Sequence, residues 1–331
     1  MAEHRASVLG IRVRLLSPVP YKFQRNKSNS KVSFWKENIN IVKYNLIIGR
    51  HCRLETPNYL LGAVREALSY EANALMIYLG APQNSFRQPL NVLKVSEFKQ
   101  ELKENNVDID NVIVHGSYLI NLANTIKKET FDFSVKFLQK EIQRMEEIGL
   151  KTLVLHPGSC LTATKEEGLN QIIQGLNLVL TKNSKIRIAL ETMSGKKNEL
   201  GTTFEQLKFI IDKVNCQEKI GVCWDTCHLY DAGYNIKDNL ENVIEEFDQI
   251  IGLEKLWVIH VNDSAKPNES GRKKKDSHEN IGYGEIGLQA LKKIVHHPRL
   301  DGKVKILETP RKRVKENEKF LKEEIKILKE N

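Results

Sequence analysis

Residues 152–191 read TLVLHPGSCLTATKEEGLNQIIQGLNLVLTKNSKIRIALE. The run 152–156 has strand character and closes on His156. Residues 166–181 read as a helix, and 185–191 form a second strand-like run closing on Glu191. Strand, helix and strand in this order make a parallel βαβ unit.

The same alternation extends in both directions. Upstream, 46–49 reads as a strand and 57–70 as a helix with Pro57 near its first turn. Residues 74–79 are a buried apolar run, 95–105 a helix and 112–115 a strand. In 131–148, Val135, Leu138, Ile142 and Met145 keep helical spacing, and Gly149 supplies the stop. Downstream, strands 219–225, 256–260 and 303–308 alternate with helices 203–214, 238–250, 286–295 and 314–329. Eight such units predict an α/β protein, a (β/α)8 TIM barrel. Six of the strands close on His115, His156, Glu191, Asp225, His260 and Glu308. A barrel explains this recurrence, because the carboxyl ends of its strands converge on one face. Imidazoles and carboxylates gathered there without matching Lys or Arg repel one another unless divalent cations hold them. The pattern therefore predicts a polymetal site at the C-terminal face.

The chain has 331 residues, enough for one barrel with extensions, and 40% hydrophobic content is enough for a large core. Lys and Arg number 51 against 42 Asp and Glu, a net charge of +9, which favours a polyanionic partner. The five cysteines (Cys52, Cys160, Cys216, Cys223, Cys227) are odd in number and lack zinc-finger spacing. They read as reduced thiols in a packed interior rather than a disulfide framework. No stretch approaches the ~20 apolar residues of a membrane span.

Residues 1–43 stand apart from the domain at 44–331. The first 35 hold one acid, Glu3, against seven Lys and Arg. That composition matches an organellar transit peptide, with a basic disordered arm or residues from an upstream start as alternatives. The location expected is the cytoplasm and nucleoid if the chain is bacterial, or an organelle if the extension is a transit peptide. Two loops, 80–94 and 261–284, follow strands, so both fall on the predicted catalytic face.

Four local motifs follow strands in order. They are His115-Gly-Ser-Tyr118-Leu119, His156-Pro-Gly-Ser, Asp225-Thr-Cys-His228 with Asp231-Ala-Gly, and His260-Val-Asn-Asp263 with Asp276-Ser-His278. With Glu191 and Glu308, they make 44–330 resemble the endonuclease IV family of apurinic/apyrimidinic (abasic-site) endonucleases. The resemblance implies three zinc ions, with manganese an alternative at one position. It places His115 and His156 on the first ion, with Glu191 bridging to the second. Asp225, His260 and Glu308 complete the second, and His228, Asp276 and His278 hold the third. It also implies a hydrolase that cuts the phosphodiester 5′ to an abasic site in double-stranded DNA, leaving a 3′-hydroxyl and a 5′-deoxyribose phosphate. Trimming of blocked 3′ ends, a place in base-excision repair and a monomeric state come with it. Glu191 and Glu308 are the catalytic carboxylates on this reading, Glu308 also as a general base.

For DNA contact, Tyr118 and Leu119 match family positions that insert into the base stack. Asn84 lies where some members carry an arginine wedge, and nearby Arg87 is a candidate substitute. The basic run Lys273, Lys274 and Lys275, after Arg272, is a candidate phosphate contact. Three departures stand out. Ser277 replaces an arginine common between the ligands. Arg50 replaces a smaller residue and is expected to alter the surroundings of the site. Gly116 replaces an acidic residue. The competing readings are a divalent-metal sugar isomerase on a related barrel and a non-catalytic DNA-lesion-binding protein.

Overall fold

The computed structural model describes residues 46–265, 267, 276–311 and 317–330. The basic extension 1–43 and the run Lys273, Lys274 and Lys275 lie outside the described residues.

Eight strands close into an all-parallel barrel: β1 (Ile47–His51), β2 (Ala74–Ile77), β3 (Val112–His115), β4 (Thr152–Leu155), β5 (Arg187–Glu191), β6 (Ile220–Asp225), β7 (Leu256–His260) and, last in the chain, β10 (Val304–Leu307). The first and last pair, Ile47 opposite Val304, and close the ring. Around it pack α1 (Tyr59–Ser69), α2 (Val95–Glu104), α3 (Lys128–Ile148), α4 (Lys165–Val179), α5 (Phe204–Lys213), α7 (Leu240–Ile250), α8 (Leu288–Val295) and α9 (Asn317–Lys329). Two elements escape the sequence pattern. A short helix α6 (Thr226–Ala232) follows β6 directly, and a two-rung antiparallel hairpin, β8 (Asp263–Ser264) and β9 (His278–Glu279), lies within the second long loop.

Local chemistry sets the boundaries. Gly149, at φ +93°, ends α3 and donates its N–H to the Met145 carbonyl. Thr164 opens α4 with a reciprocal cap: its hydroxyl accepts from Glu167 N at 3.2 Å, and Glu167 accepts from Thr164 N at 2.8 Å. At Gly49 a Cβ would lie 1.7 Å from the Ala74 carbonyl oxygen, so β1 can pass this close to β2 only as glycine.

The two-residue strand period divides the strands into faces. Ala74, Met76, Ile113, Val154, Ala189, Cys223, Val258, Val304 and Ile306 fill the barrel interior. Their neighbours, such as Val114, Leu155, Leu190, Trp224, Ile259 and Leu307, pack outward under the helices. Two buried cations, Arg50 and Lys305, take outward positions. All five cysteines are buried and free, as the packed-interior reading expects. No helix among the described residues is long and apolar enough to cross a membrane.

Candidate metal centre

Stepping two residues beyond the interior layer reaches the same side of each strand. Met76 leads to Tyr78, Ile113 to His115, Val154 to His156 and Ala189 to Glu191. Cys223 leads to Asp225, Val258 to His260 and Ile306 to Glu308. On β1, Gly49 leads to His51. Strand periodicity thus stacks a ring of imidazoles, carboxylates and one phenol on an apolar plug. His51 and Tyr78 are the ring members the sequence reading gave no role. Their rings meet at 5.1 Å, and Tyr78 meets His115 at 4.9 Å. Burial pushes the His51 imidazolium down to about 4, against the pull of Glu308.

Glu191 sits at the centre, fully buried. One oxygen faces His115 Nε2 and His156 Nε2, each at 3.2 Å. The other faces His228 Nδ1 at 3.2 Å and His260 Nδ1 at 3.3 Å. His260 Nδ1 also lies 3.1 Å from Glu308 and 3.8 Å from Asp225. The third group comes from outside the barrel strands. His228 stands on α6, and its Nε2 lies 2.9 Å from Asp276 Oδ1. His278 stands on β9, with Nε2 3.5 Å from Asp225 and 3.8 Å from Asp276. The nine residues fall into three groups whose ligand atoms lie within 4.8 Å of one another: His115, His156, Glu191; Glu191, Asp225, His260, Glu308; and His228, Asp276, His278. Cys227 makes a further group with Asp225 and His278, and burial pushes its thiol up.

Supporting groups aim these ligands. Asn262 donates to Asp225 Oδ2 at 2.7 Å and accepts from Glu308 N at 2.8 Å. Thr192 accepts from Asp225 N through its hydroxyl, at 2.9 Å, and faces His228 Nδ1 with its carbonyl at 2.9 Å. Asp225 Oδ1 caps α6 by accepting from His228 N at 2.8 Å. Asp276, at φ +55°, donates its N–H to Asp231 Oδ2 at 2.9 Å. Gly116 offers its carbonyl to His115 Nδ1 at 2.8 Å.

The donor set fits cations. A neutral imidazole whose Nδ1–H donates to a carbonyl has a bare lone pair at Nε2. His115 and His228 are held this way, yet their Nε2 atoms face carboxylate oxygens. Such a pair repels unless a proton or a metal lies between. His278 Nε2 is buried among carboxylates with no hydrogen-bond partner among the described residues. The electrostatics agree. Burial would raise the Glu191 carboxyl, but His156, His260 and the bond from His115 hold it well below the carboxylate range. Burial likewise opposes ionised Glu308, which His260 and His115 hold low. Burial disfavours charge on His228, but Asp225, Asp276 and Glu191 hold it well above the ordinary histidine value. The cluster demands positive charge at the ring nitrogens, which divalent ions supply.

Seven of the nine, all but Asp225 and His260, line a cavity of about 390 Å³ with Tyr118, Asn121, Ser159 and Glu199. Lys196 is the one Lys or Arg among its described lining residues, 2.9 Å from Asp276 Oδ2. Sequence reasoning missed it; the signal was the Gly195-Lys196-Lys197 turn in the loop that follows β5. Tyr118 is 57% exposed, and its hydroxyl accepts from Tyr78 at 2.9 Å. Leu119 is half-buried and packs on the outer core.

Two expectations are corrected. Arg87 is buried and pairs with buried Glu141, Nε to Oε1 at 2.8 Å and Nη2 to Oε2 at 3.2 Å, so it does not face a duplex. Asn84 remains exposed beside it. Arg50 does not touch the ring. It points outward to Glu324 on α9 at 3.5 Å and to Thr309 at 3.4 Å, because its parity is opposite to that of His51.

Comparison with known proteins agrees with this geometry. The family described as "Xylose isomerase-like TIM barrel" matches residues 64–331. The chain is 51% identical over 265 residues to a probable endonuclease 4 of Geobacillus kaustophilus, covering 80% of this chain and 87% of that one. It is 48% identical over 285 residues to one of Oceanobacillus iheyensis, covering 86% and 94%. The crystal structure of endonuclease IV from Thermus thermophilus superposes with a TM-score of 0.71 at 28% identity, covering 86% of this chain and 99% of that one. A D-tagatose 3-epimerase-like protein shares the fold at 19% identity, with a TM-score of 0.59. By sequence, barrel and strand-end ring alike, the chain belongs to the endonuclease IV family of nucleases.

Proposed function

We propose that this chain is a zinc-dependent abasic-site endonuclease that cuts the phosphodiester 5′ to the lesion, leaving a 3′-hydroxyl and a 5′-deoxyribose phosphate. Its nuclease class, a metal-dependent hydrolase, follows from the family. The observation that carries the finer reading is the division of nine candidate ligands into three groups, two of which share Glu191. Imidazole with carboxylate suits zinc, and manganese is compatible with the carboxylate-rich group.

When bound, the ions supply Lewis acidity, which makes water acidic near neutral pH and offsets charge growing on a phosphodiester. The protein's residues do the remainder. Glu191 spans two groups and fixes their spacing. Glu308 lines the cavity and is the partly exposed carboxylate of the second group, 3.1 Å from His260 Nδ1, whereas Glu191 and Asp225 are buried, so it is placed to take a proton from the attacking water. Tyr118 stands at the cavity wall, held by Tyr78, where it faces the nucleotide lacking a base. The partner is double-stranded DNA, the protein acts as a monomer, and blocked 3′ ends enter the same cavity. The third group, His228, Asp276 and His278, is surplus to a two-metal sugar isomerase. A non-catalytic lesion binder has no need of a complete ligand set.

A labelled duplex with one tetrahydrofuran lesion tests the reading. The analogue resists β-elimination, so cutting there is hydrolysis. A 3′-hydroxyl product that primes synthesis, absent with intact duplex and lost in Glu191→Gln, is expected. A zinc-replete protein that leaves the lesion strand whole sinks the proposal.

A further inference from the structure

Helix α9 turns a carboxylate into the core. Leu321, Ile325 and Leu328 are buried at helical spacing, and Glu324 lies among them, 3% exposed. Glutamate is almost never buried this deeply unless it is paired. Here both oxygens are occupied. Oε1 accepts from Asn280 Nδ2 at 3.0 Å and from Ile281 N at 2.9 Å. Oε2 accepts from the Thr309 hydroxyl at 2.6 Å and from Arg50 Nη1 at 3.5 Å. Arg50 also donates to the carbonyl and hydroxyl of Thr309, at 3.4 Å each, and supplies the cation that offsets the buried charge.

Each oxygen serves a different ligand group. Asn280 stands two residues past His278 of the third group, and Thr309 directly follows Glu308 of the second. Strand pairing stops short of both segments. The ladder between β1 and β10 ends at Leu307, opposite Arg50, one residue before Glu308. The β8–β9 hairpin ends at Glu279. Beyond it Asp263 gathers the N–H groups of Gly282, Gly284, Ile286 and Gly287, while Asn280 and Ile281 bond Glu324. Asn280 also donates to the Pro310 carbonyl at 3.1 Å, so the two segments meet again beside the carboxylate. Ions that act together on one phosphodiester must keep a fixed separation, and ligand segments tied to one carboxylate keep it.

We propose that Glu324 is a positioning residue that fixes Glu308 against His278 and so sets the spacing of the second and third ligand groups. It acts through Thr309 and Asn280 rather than on a ligand atom. This rests on the reading of those groups as metal sites. Arg50, the departure beside His51, is the counterion that lets such a tie lie inside the protein.

The test uses the full zinc-loaded chain, a chromophoric chelator and a tetrahydrofuran duplex. Glu324→Gln should lower kcat by about tenfold with KM unchanged, the low end for loss of an outer partner of a metal site. Two of the three ions should pass to the chelator about tenfold more readily, while the ion of the first group is released as in the parent. A double variant, Arg50→Met with Glu324→Gln, removes the unmatched cation, so Tm should recover while kcat and metal release stay as in the single variant. Thr309→Val keeps the ion pair and should loosen one ion alone; it decides the matter if Glu324→Gln does not fold. Parental kcat and metal release in Glu324→Gln overturn the proposal. So does recovery of both in the double variant, or equal loosening of all three ions, since each would make the effect one of general stability. Parent protein that holds no ion against the chelator strikes the metal reading itself and takes the role of Glu324 with it.

Discussion

The ring of strand-end ligands and the third ligand group sit side by side but are built differently. The ring is dictated by β-strand period: His115, His156, Glu191, Asp225, His260 and Glu308 are each two residues past an interior packing position or its equivalent. Moving one of them means moving a strand of the barrel. The third group hangs from a seven-residue helix and a two-rung hairpin. Its Asp276 keeps a left-handed backbone, held at its N–H by Asp231. Rigid parallel strands fix the first kind of site, and a chain of side-chain bonds assembles the second. The second should therefore be the one that loosens.

The sharpest way to break this comparison is at Glu191, which serves both ring groups. Glu191→Gln should abolish incision, since losing Lewis-acid stabilisation of several kcal/mol is roughly a thousandfold in rate. Metal analysis of the purified variant should show ring ions missing while the barrel melts cooperatively. Full metal content would mean that the carboxylate is not a bridge.

Next in size is Asp231→Ala, which removes the acceptor for Asp276 N without touching a ligand. The third ion should bind about 10- to 100-fold more weakly, as loss of a ligand-orienting partner usually causes. Titration with a chromophoric chelator should then release metal in two steps, the weak step first. Release in one step from variant and parent alike would erase the distinction between ring and loop group.

A third test acts on the outward face of a ring-bearing strand. Lys305 is fully buried with its ammonium on the Leu300 carbonyl at 2.6 Å, and burial pushes it down to about 8. In the unfolded chain it titrates at its ordinary value near 10.5. Below about 8 both states hold the proton and the burial cost is carried in full. Between about 8 and 10.5 the unfolded chain binds more protons, so stability rises with pH. Lys305→Met should flatten that rise and raise stability at pH 7 by about 2 kcal/mol, after allowing for the lost hydrogen bond. Denaturant melts at pH 7 and 10 would read it. Because Lys305 faces away from the ring, metal content should not change, and a change would mean that the two faces of the strand are coupled.

The smallest effect is expected at Lys196→Ala. Its ammonium competes with a cation for Asp276 Oδ2, so its removal should leave third-ion affinity equal or up to about threefold higher, the scale of a partly exposed ion pair. Weaker binding would assign Lys196 a positioning role instead.

The barrel was legible because the alternation of strand and helix was repeated, and strands 112–115 and 256–260 match β3 and β7. The ring was legible because its members end strands. His51 and Tyr78 occupy the same layer, but neither their identity nor a motif marked them. Helix α6 was hidden because it is one residue past β6, with its cap, Asp225, already assigned as a ligand. The loop side chains were read least well. Adjacent residues such as Phe86 and Arg87 can exchange inside for outside with one turn of backbone, and only Glu141, 54 positions away, decides which is buried. Arg50 was misplaced for the opposite reason: parity places it outward, but sequence proximity to His51 suggested the site.

The hairpin that carries His278 has one more implication. Asp263 accepts N–H bonds from Ser264, Gly282, Gly284, Ile286 and Gly287, and Ala265 N bonds the Ser277 carbonyl at 2.8 Å. The chain is thus clamped on both sides of positions 266–275. These main-chain bonds tie the hairpin to a single buried carboxylate, so the address of His278 depends on Asp263, a residue that offers no ligand atom to the three groups.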